Sequence, residues 1–281
     1  MVALTLWIAL AAELMIYASF ARWLGLGTAA TATLCTVLLI GARVMFIALT
    51  FVLSRVYASP RQLVAECSAF IAAWVLMLLE PLLRPRPRAP VSDHATLLVH
   101  GWNCNSGIWW PLLRRLRRSG DAPTTVTVNL SPWAGLEQHI ARLREAIGNV
   151  ARTTRSGTVA VVGHSMGGVV ALAAVAEPET AAKVVRLVAL GSPFGGTELA
   201  RYALDRAGRA LRTGRKHALS SHMRVTAVYS DTDNFVVPAT SARVEGAENL
   251  LFPGLGHMEL AFARPVLDAV VERLESMDGT R

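Results

Sequence analysis

Residues 159–168 read Val-Ala-Val-Val-Gly-His-Ser-Met-Gly-Gly. A serine between close glycines, directly after small and branched apolar residues, has the spacing G-x-S-x-G. That spacing suits a nucleophile. Gly163 and Gly167 permit a turn sharp enough to raise the Ser165 hydroxyl above the edge of a sheet, and Gly168 lets the following helix pack closely. The same letters also describe an idle serine in a glycine-rich turn, so the surrounding chemistry has to decide. A serine hydroxyl is weak at its free pKa and needs a base. Among the seven histidines, His257 in Gly-Leu-Gly-His-Met-Glu-Leu (254–260) is best placed, on a loop after the last expected strand. His164 is too close to Ser165 in the chain to turn toward its Oγ. His94 precedes the first strand, and His139, His217 and His222 are expected on solvated faces. A base needs an orienting carboxylate. Residues 229–238, Tyr-Ser-Asp-Thr-Asp-Asn-Phe-Val-Val-Pro, offer Asp231 and Asp233. Asp233, just beyond the strand, is preferred.

Acyl chemistry also needs donors for a developing oxyanion. One candidate is the amide of Met166, directly after the serine. The other is the amide of Trp102, which follows His100-Gly101 at the end of the first apolar strand. Trp109, Trp110, Trp133 and Phe194 are candidates for an acyl pocket. No residues have the spacing of a metal site, and the chemistry needs neither metal nor cofactor.

The elements that must position these residues alternate. Strands are expected at 95–101, 124–130, 158–164, 184–191, 224–230 and 248–252, from short β-branched runs. Helices are expected at 108–120, 136–154, 166–177 and 257–276. The segment 199–222, rich in arginine, suits either an ordinary solvated helix or a basic amphipathic cap that rests on anionic lipid. Continuous apolar strands alternating with helices imply an α/β fold with a mostly parallel sheet covered on both faces.

The first third of the chain is different. Of 281 residues 53% are hydrophobic, and residues 1–90 carry only seven Arg and three acids, Glu13, Glu66 and Glu80. Three apolar runs, about 2–20, 29–53 and 63–83, are each long enough to cross a hydrocarbon core of ~30 Å, although one of them also suits an interfacial or re-entrant course. Charges inside such runs are expected to meet helix partners or to snorkel. The organisation expected is a transmembrane helical region over 1–83 with two or three spans, a Pro/Arg linker over 84–94 and a catalytic domain over 95–281. Arg22, Arg84, Arg86 and Arg88 on one side, against Arg55 and Arg61 on the other, lean the catalytic part toward the cytoplasm. The net charge of +8 comes without a recognition helix, zinc-ligand spacing or aromatic-basic interleaving, which argues against nucleic acid and for a membrane surface. Three cysteines imply no disulfide framework. Oligomeric state is not legible.

Residues 99–116 (Val-His-Gly-Trp-Asn-Cys-Asn-Ser-Gly and onward), Val-Gly-His-Ser-Met-Gly-Gly, Leu-Gly-Ser-Pro-Phe-Gly-Gly-Thr and the Asp233 and His257 segments occur in an order that resembles the bacterial lipase/esterase branch of the α/β-hydrolase superfamily. The likeness covers roughly 95–275 and is similar to the triacylglycerol-lipase type, with Phe194 where many relatives carry His. It implies Ser165 as nucleophile, Asp233 as orienting acid, His257 as base, and Trp102 and Met166 as oxyanion amides. A membrane region is foreign to secreted lipases; the apolar runs imply a multi-pass protein of a bacterial inner membrane, and that anchor together with the basic 199–222 segment favours a lipid or lipophilic ester as substrate. The same triad serves acyltransferases and thioesterases, and a non-catalytic membrane protein keeping the fold is a third reading.

Overall fold

The structure is a computed structural model and describes residues 2–83, 93–118, 124–214 and 223–275. Six strands form one sheet: β1 (His94–Val99), β2 (Thr124–Val128), β3 (Thr158–His164), β4 (Val184–Leu190), β5 (Arg224–Tyr229) and β6 (Glu248–Leu251). Their spatial order is β2-β1-β3-β4-β5-β6, and every neighbouring pair is parallel. The central strands are largely apolar because both faces are covered, with Thr96 of β1 and Arg186 of β4 as buried exceptions. Side chains alternate between two cores, as a period of two requires. Leu97 and Val99 of β1, Val159 and Val161 of β3, and Leu187 and Ala189 of β4 enter one core. Leu98, Ala160, Val162, Val188 and Leu190 enter the other.

The first core is closed by α6 (Leu136–Ala151), α7 (Met166–Ala174) and α8 (Pro178–Ala181). In α6 the buried residues Leu136, His139, Ile140, Leu143 and Ile147 make one helical stripe. His139 therefore sits in the core side of the helix, not on the solvated face expected from its polarity. The second core is closed by α5 (Trp110–Leu116) and α10 (Arg264–Glu275). The last helix begins seven residues later than its periodicity predicts. Pro265 suits a first turn, and residues 257–263 are drawn into a loop and a short 3₁₀ turn instead.

The N-terminal region forms α1 (Val2–Trp23), α2 (Thr28–Ser54), α3 (Pro60–Leu78) and the short α4 (Glu80–Leu83). The first three are each long and apolar enough to cross a membrane. Much of α1 and α2 exposes large apolar side chains, including Ile8, Ile16, Val37 and Met45. Glu13 of α1 pairs with Arg43 of α2, the helix-to-helix pairing expected of charges in such runs. α3 is placed differently. Ala69, Ala73 and Met77 belong to the second core beside Trp109, Leu112 and Leu98. Gly107 passes so close to α3 that a Cβ there would lie 2.2 Å from the Leu76 carbonyl oxygen. The linker residues 84–92 fall outside the described residues, so the expected linker is not placed.

The arginine-rich 199–222 segment is not one helix. It holds a 3₁₀ turn (Glu198–Tyr202) and the five-residue α9 (Arg206–Ala210), with Leu204 between them. Ala203 and Asp205 have extended backbone, which breaks the helix, and Gly208 is pressed against Ala203 and Trp102. Residues 215–222, with His217 and His222, fall outside the described residues.

Candidate active site

The strand order reverses between β1 and β3, since β1 leads outward to β2 and then back across to β3. Ligands of open parallel sheets bind beyond the carboxyl ends of the strands at such a reversal. The Gly101-Trp102 loop leaves β1 there, and Ser165 leaves β3.

Ser165 has φ 54° and ψ −125°, a left-handed conformation that is strained for a side chain with a Cβ. Close packing explains the glycines on either side. A Cβ at Gly167 would lie 2.1 Å from the Val99 carbonyl oxygen, and one at Gly163 would lie 2.5 Å from the Gly168 nitrogen. A Cβ at Gly101 would lie 2.9 Å from Ser165 Cβ, so the Trp102 loop runs against the serine. Met166 is the first residue of α7, where backbone amides have no partner within the helix. The Trp102 indole donates from Nε1 to Asp205 Oδ2 at 2.7 Å, tying this loop to the N-cap of α9. A narrow cavity beside the elbow is lined by Gly101, Trp102, Leu130, Pro132, Met166 and Ala207.

Asp233 and His257 come together. His257 Nδ1 is 2.9 Å from Asp233 Oδ2, and both side chains are buried. Asp233 Oδ1 accepts from the Phe235 and Val236 amides at 2.8 Å each. Asp231 lies apart, exposed, with Oδ1 accepting from the Gly254 amide at 2.8 Å. His257 adjoins the elbow, its carbonyl oxygen 3.2 Å from His164 Nε2 and its ring centroid 4.8 Å from that of His164. Burial works against protonation of His257. The charge and hydrogen bond of Asp233, with the charge of Glu66, outweigh it and hold the pKa above the usual histidine value.

Two other buried histidines, His164 and His100, are held neutral by burial. Burial lowers His164 to about 3 and His100 to about 4. His100 donates from Nδ1 to the Gly101 carbonyl at 2.8 Å and accepts the Leu130 amide at Nε2 at 2.9 Å. Burial pushes the Cys104 thiol up to about 12, which leaves it an inert thiol. The four aromatics that were candidates for an acyl pocket are scattered. Trp109 is wholly buried in the second core, Phe194 lies in the first, Trp133 is exposed, and Trp110 stacks under Arg114. Aromatic spacing alone does not separate core from cavity.

The sequence profile of the alpha/beta hydrolase family matches residues 96–272, more than half of the chain. The chain belongs to that family. Its structure is similar to the mature lipase BlEst2 of Bacillus licheniformis, with a TM-score of 0.56 and 17% identity over 67% of this chain and 96% of that one. It is also similar to lipase B of Aspergillus fumigatus, with a TM-score of 0.57 and 15% identity over 92% of this chain and 84% of that one. A third is the RedJ thioesterase of the prodiginine pathway in Streptomyces coelicolor, with a TM-score of 0.50 and 16% identity over 72% and 94%. Identities this low speak for the fold. Among curated proteins none matches this chain.

Two residues beside this site were not singled out for it from the sequence. Glu66 of α3 accepts from the amides of Met258 and Glu259. Asn234 accepts the His257 amide at 3.0 Å and donates to Thr50 of α2 at 2.7 Å. The one sequence signal was an acid inside an apolar run at position 66, where a helix partner was expected; the partner is the loop after His257.

Proposed function

We propose that this protein is a membrane-anchored serine hydrolase that cleaves carboxylic esters, with lipid or lipophilic esters as substrates. The observation that carries the reading is the buried Asp233–His257 pair at 2.9 Å, whose His257 ring lies 4.8 Å from that of His164, the residue before Ser165 on its strained turn. His257 Nε2 takes the Ser165 proton as Oγ bonds to the ester carbonyl carbon. The Trp102 and Met166 amides hold the oxyanion. As the tetrahedral adduct collapses, the carbon–oxygen bond to the leaving group breaks and the imidazolium protonates the departing alcohol. The same ring then deprotonates water, which attacks the acyl-enzyme and releases the acid and Ser165. Asp233 holds Nδ1–H throughout and stabilises the charged ring.

The membrane part of the reading is supported by the exposed apolar faces of α1 and α2 and by exposed Tyr202 and Leu204 between β4 and β5. Lipophilic esters concentrated in a bilayer would be close to a site tethered there. The test is covalent labelling of the detergent-solubilised protein with a fluorophosphonate, beside Ser165→Ala, followed by turnover of esters of increasing chain length. Labelling confined to the wild type and turnover that rises with chain length are expected. Turnover of thioesters, or transfer to added alcohols, in place of ester hydrolysis would reassign the reaction on the same residues. Equal labelling of both proteins would overturn the reading.

A further inference from the structure

The three acids of the helical region have three kinds of partner. Glu13 pairs with Arg43 inside the helical hairpin. Glu80 accepts from Ser106 Oγ at 2.7 Å and Asn129 Nδ2 at 3.0 Å, on the loops after β1 and β2. Glu66 is fully buried and turned toward the loop that carries His257.

Its carboxylate receives the two amides that directly follow His257. Met258 N lies 2.9 Å from Oε1 and 3.0 Å from Oε2, and Glu259 N lies 3.0 Å from Oε2. The residue before His257 is equally close, since a Cβ on Gly256 would lie 2.3 Å from Oε2. The loop 256–259 thus wraps one side-chain carboxylate, and an acceptor-only group suits consecutive backbone donors. The histidine's own amide is held by Asn234, which is anchored on Thr50 of α2. Phe235, next along, lies 5.0 Å from the His257 ring and 6.2 Å from Phe46 of α2. The backbone around the base is therefore fixed largely from α2 and α3.

We propose that Glu66 is a positioning residue for His257, and that α3 thereby belongs to the catalytic apparatus as well as to the membrane-facing region. The proposal rests on the reading of His257 as the base of a serine hydrolase. Glu66 acts in two ways. Its two acceptor oxygens set the path of the loop and hence the placement of the imidazole. Where it is ionised, its charge, with that of Asp233, favours the imidazolium formed during attack. The ionisable groups around the pair are Asp233 and His164 against His257, Cys67 beside Glu66 on α3, and Glu259, whose own carboxylate accepts the Gly256 amide at 2.9 Å. His164 is neutral.

The experiment measures the rate of fluorophosphonate labelling against pH for the full chain in detergent micelles. It compares wild type, Glu66→Gln, Glu66→Asp and Ser165→Ala, with thermal unfolding of each. Glu66→Gln should remain folded and label at least about tenfold more slowly, with its acid limb moved to lower pH because a charge that favours imidazolium is gone. Glu66→Asp keeps the charge but falls short of the amides, so it should label slowly with the acid limb where the wild type has it. A folded Glu66→Gln that labels at the wild-type rate with an unmoved acid limb overturns the proposal while leaving the hydrolase reading intact. If Glu66→Gln does not fold, Gly256→Ala, which displaces the carboxylate without removing it, becomes the deciding variant; wild-type labelling there overturns the proposal. Wild type as unlabelled as Ser165→Ala would overturn the hydrolase reading and this proposal with it.

Discussion

His257 Nδ1 and Asp233 Oδ2 stand 2.9 Å apart with both side chains almost wholly out of solvent. The second Asp233 oxygen is occupied by two backbone amides, so the carboxylate has no freedom to turn away. Asp231, only two residues earlier, points to the Gly254 amide at the surface. Asp233→Asn should therefore lower kcat by about 10³–10⁴-fold, through loss of charge and of the correct ring tautomer. Asp231→Asn should stay near wild type, because an amide oxygen still accepts from Gly254. Steady-state kinetics on one ester decide it, and the reverse ranking would move the orienting role to Asp231.

The same pair sets a pH dependence. A base must be neutral to accept the serine proton, and the His257 pKa is held above 6.5. Log(kcat/KM) should fall with decreasing pH from a point above that value. An acid limb lying below 6.5 would contradict the electrostatics described for the pair.

His100 and His164 carry the opposite sign. Burial lowers their pKa to about 4 and about 3, against 6.5 when unfolded. Their contribution to stability is fully present above pH 6.5 and is lost as pH falls toward the folded values, at up to about 1.4 kcal/mol per pH unit for each ring. His257, with a raised pKa, offsets this partly, since its contribution is present at low pH and lost as pH rises through its folded value. Between about pH 7 and about pH 5 the urea midpoint should fall further in the wild type than in His100→Gln or His164→Gln, each of which lacks one of these rings. Equal falls would contradict two neutral buried rings.

The elbow has no room for a methyl group. Gly167→Ala would place Cβ 2.1 Å from the Val99 carbonyl oxygen, and backbone, unlike a flexible side chain, cannot step aside cheaply. Overpacking of this kind costs about 1–3 kcal/mol, so the variant should melt earlier and label more slowly. An unchanged melting temperature would show that β1 and α7 are not so close.

Removing residues 1–83 should not leave a well-behaved catalytic part. The second core would lose Ala69, Ala73 and Met77 from beside Trp109 and Leu112, and the amides of Met258 and Glu259 would lose their acceptor. The shortened chain should bind an apolar dye or aggregate. A monomeric, cooperatively unfolding product that still labels at Ser165 would show that α3 is dispensable.

Much of the fold was legible because it is periodic. Strands buried on both faces read as largely apolar runs, and β1, β3 and β4 lie where those runs fall. His139 was misjudged because residue type was weighed above helical phase. On phase alone it shares a stripe with Leu136, Ile140 and Leu143. The 199–222 segment was misjudged because arginines at helical spacing say nothing about Gly208 being pressed against Trp102.

The sequence by itself determined the elbow, since G-x-S-x-G is a local statement about which positions tolerate no Cβ, and it determined the alternation that makes a parallel sheet. It also named Asp233 and His257 as partners, though without a distance. Tertiary structure decided what surrounds them. Glu66 and Met258 are 192 residues apart in the chain, and Asn234 and Thr50 are 184 apart. No periodicity or spacing encodes such pairs. A buried carboxylate and an orphan amide find each other only when the packing of α3 against the second core, and of α2 against α3 and Phe235, excludes water from both.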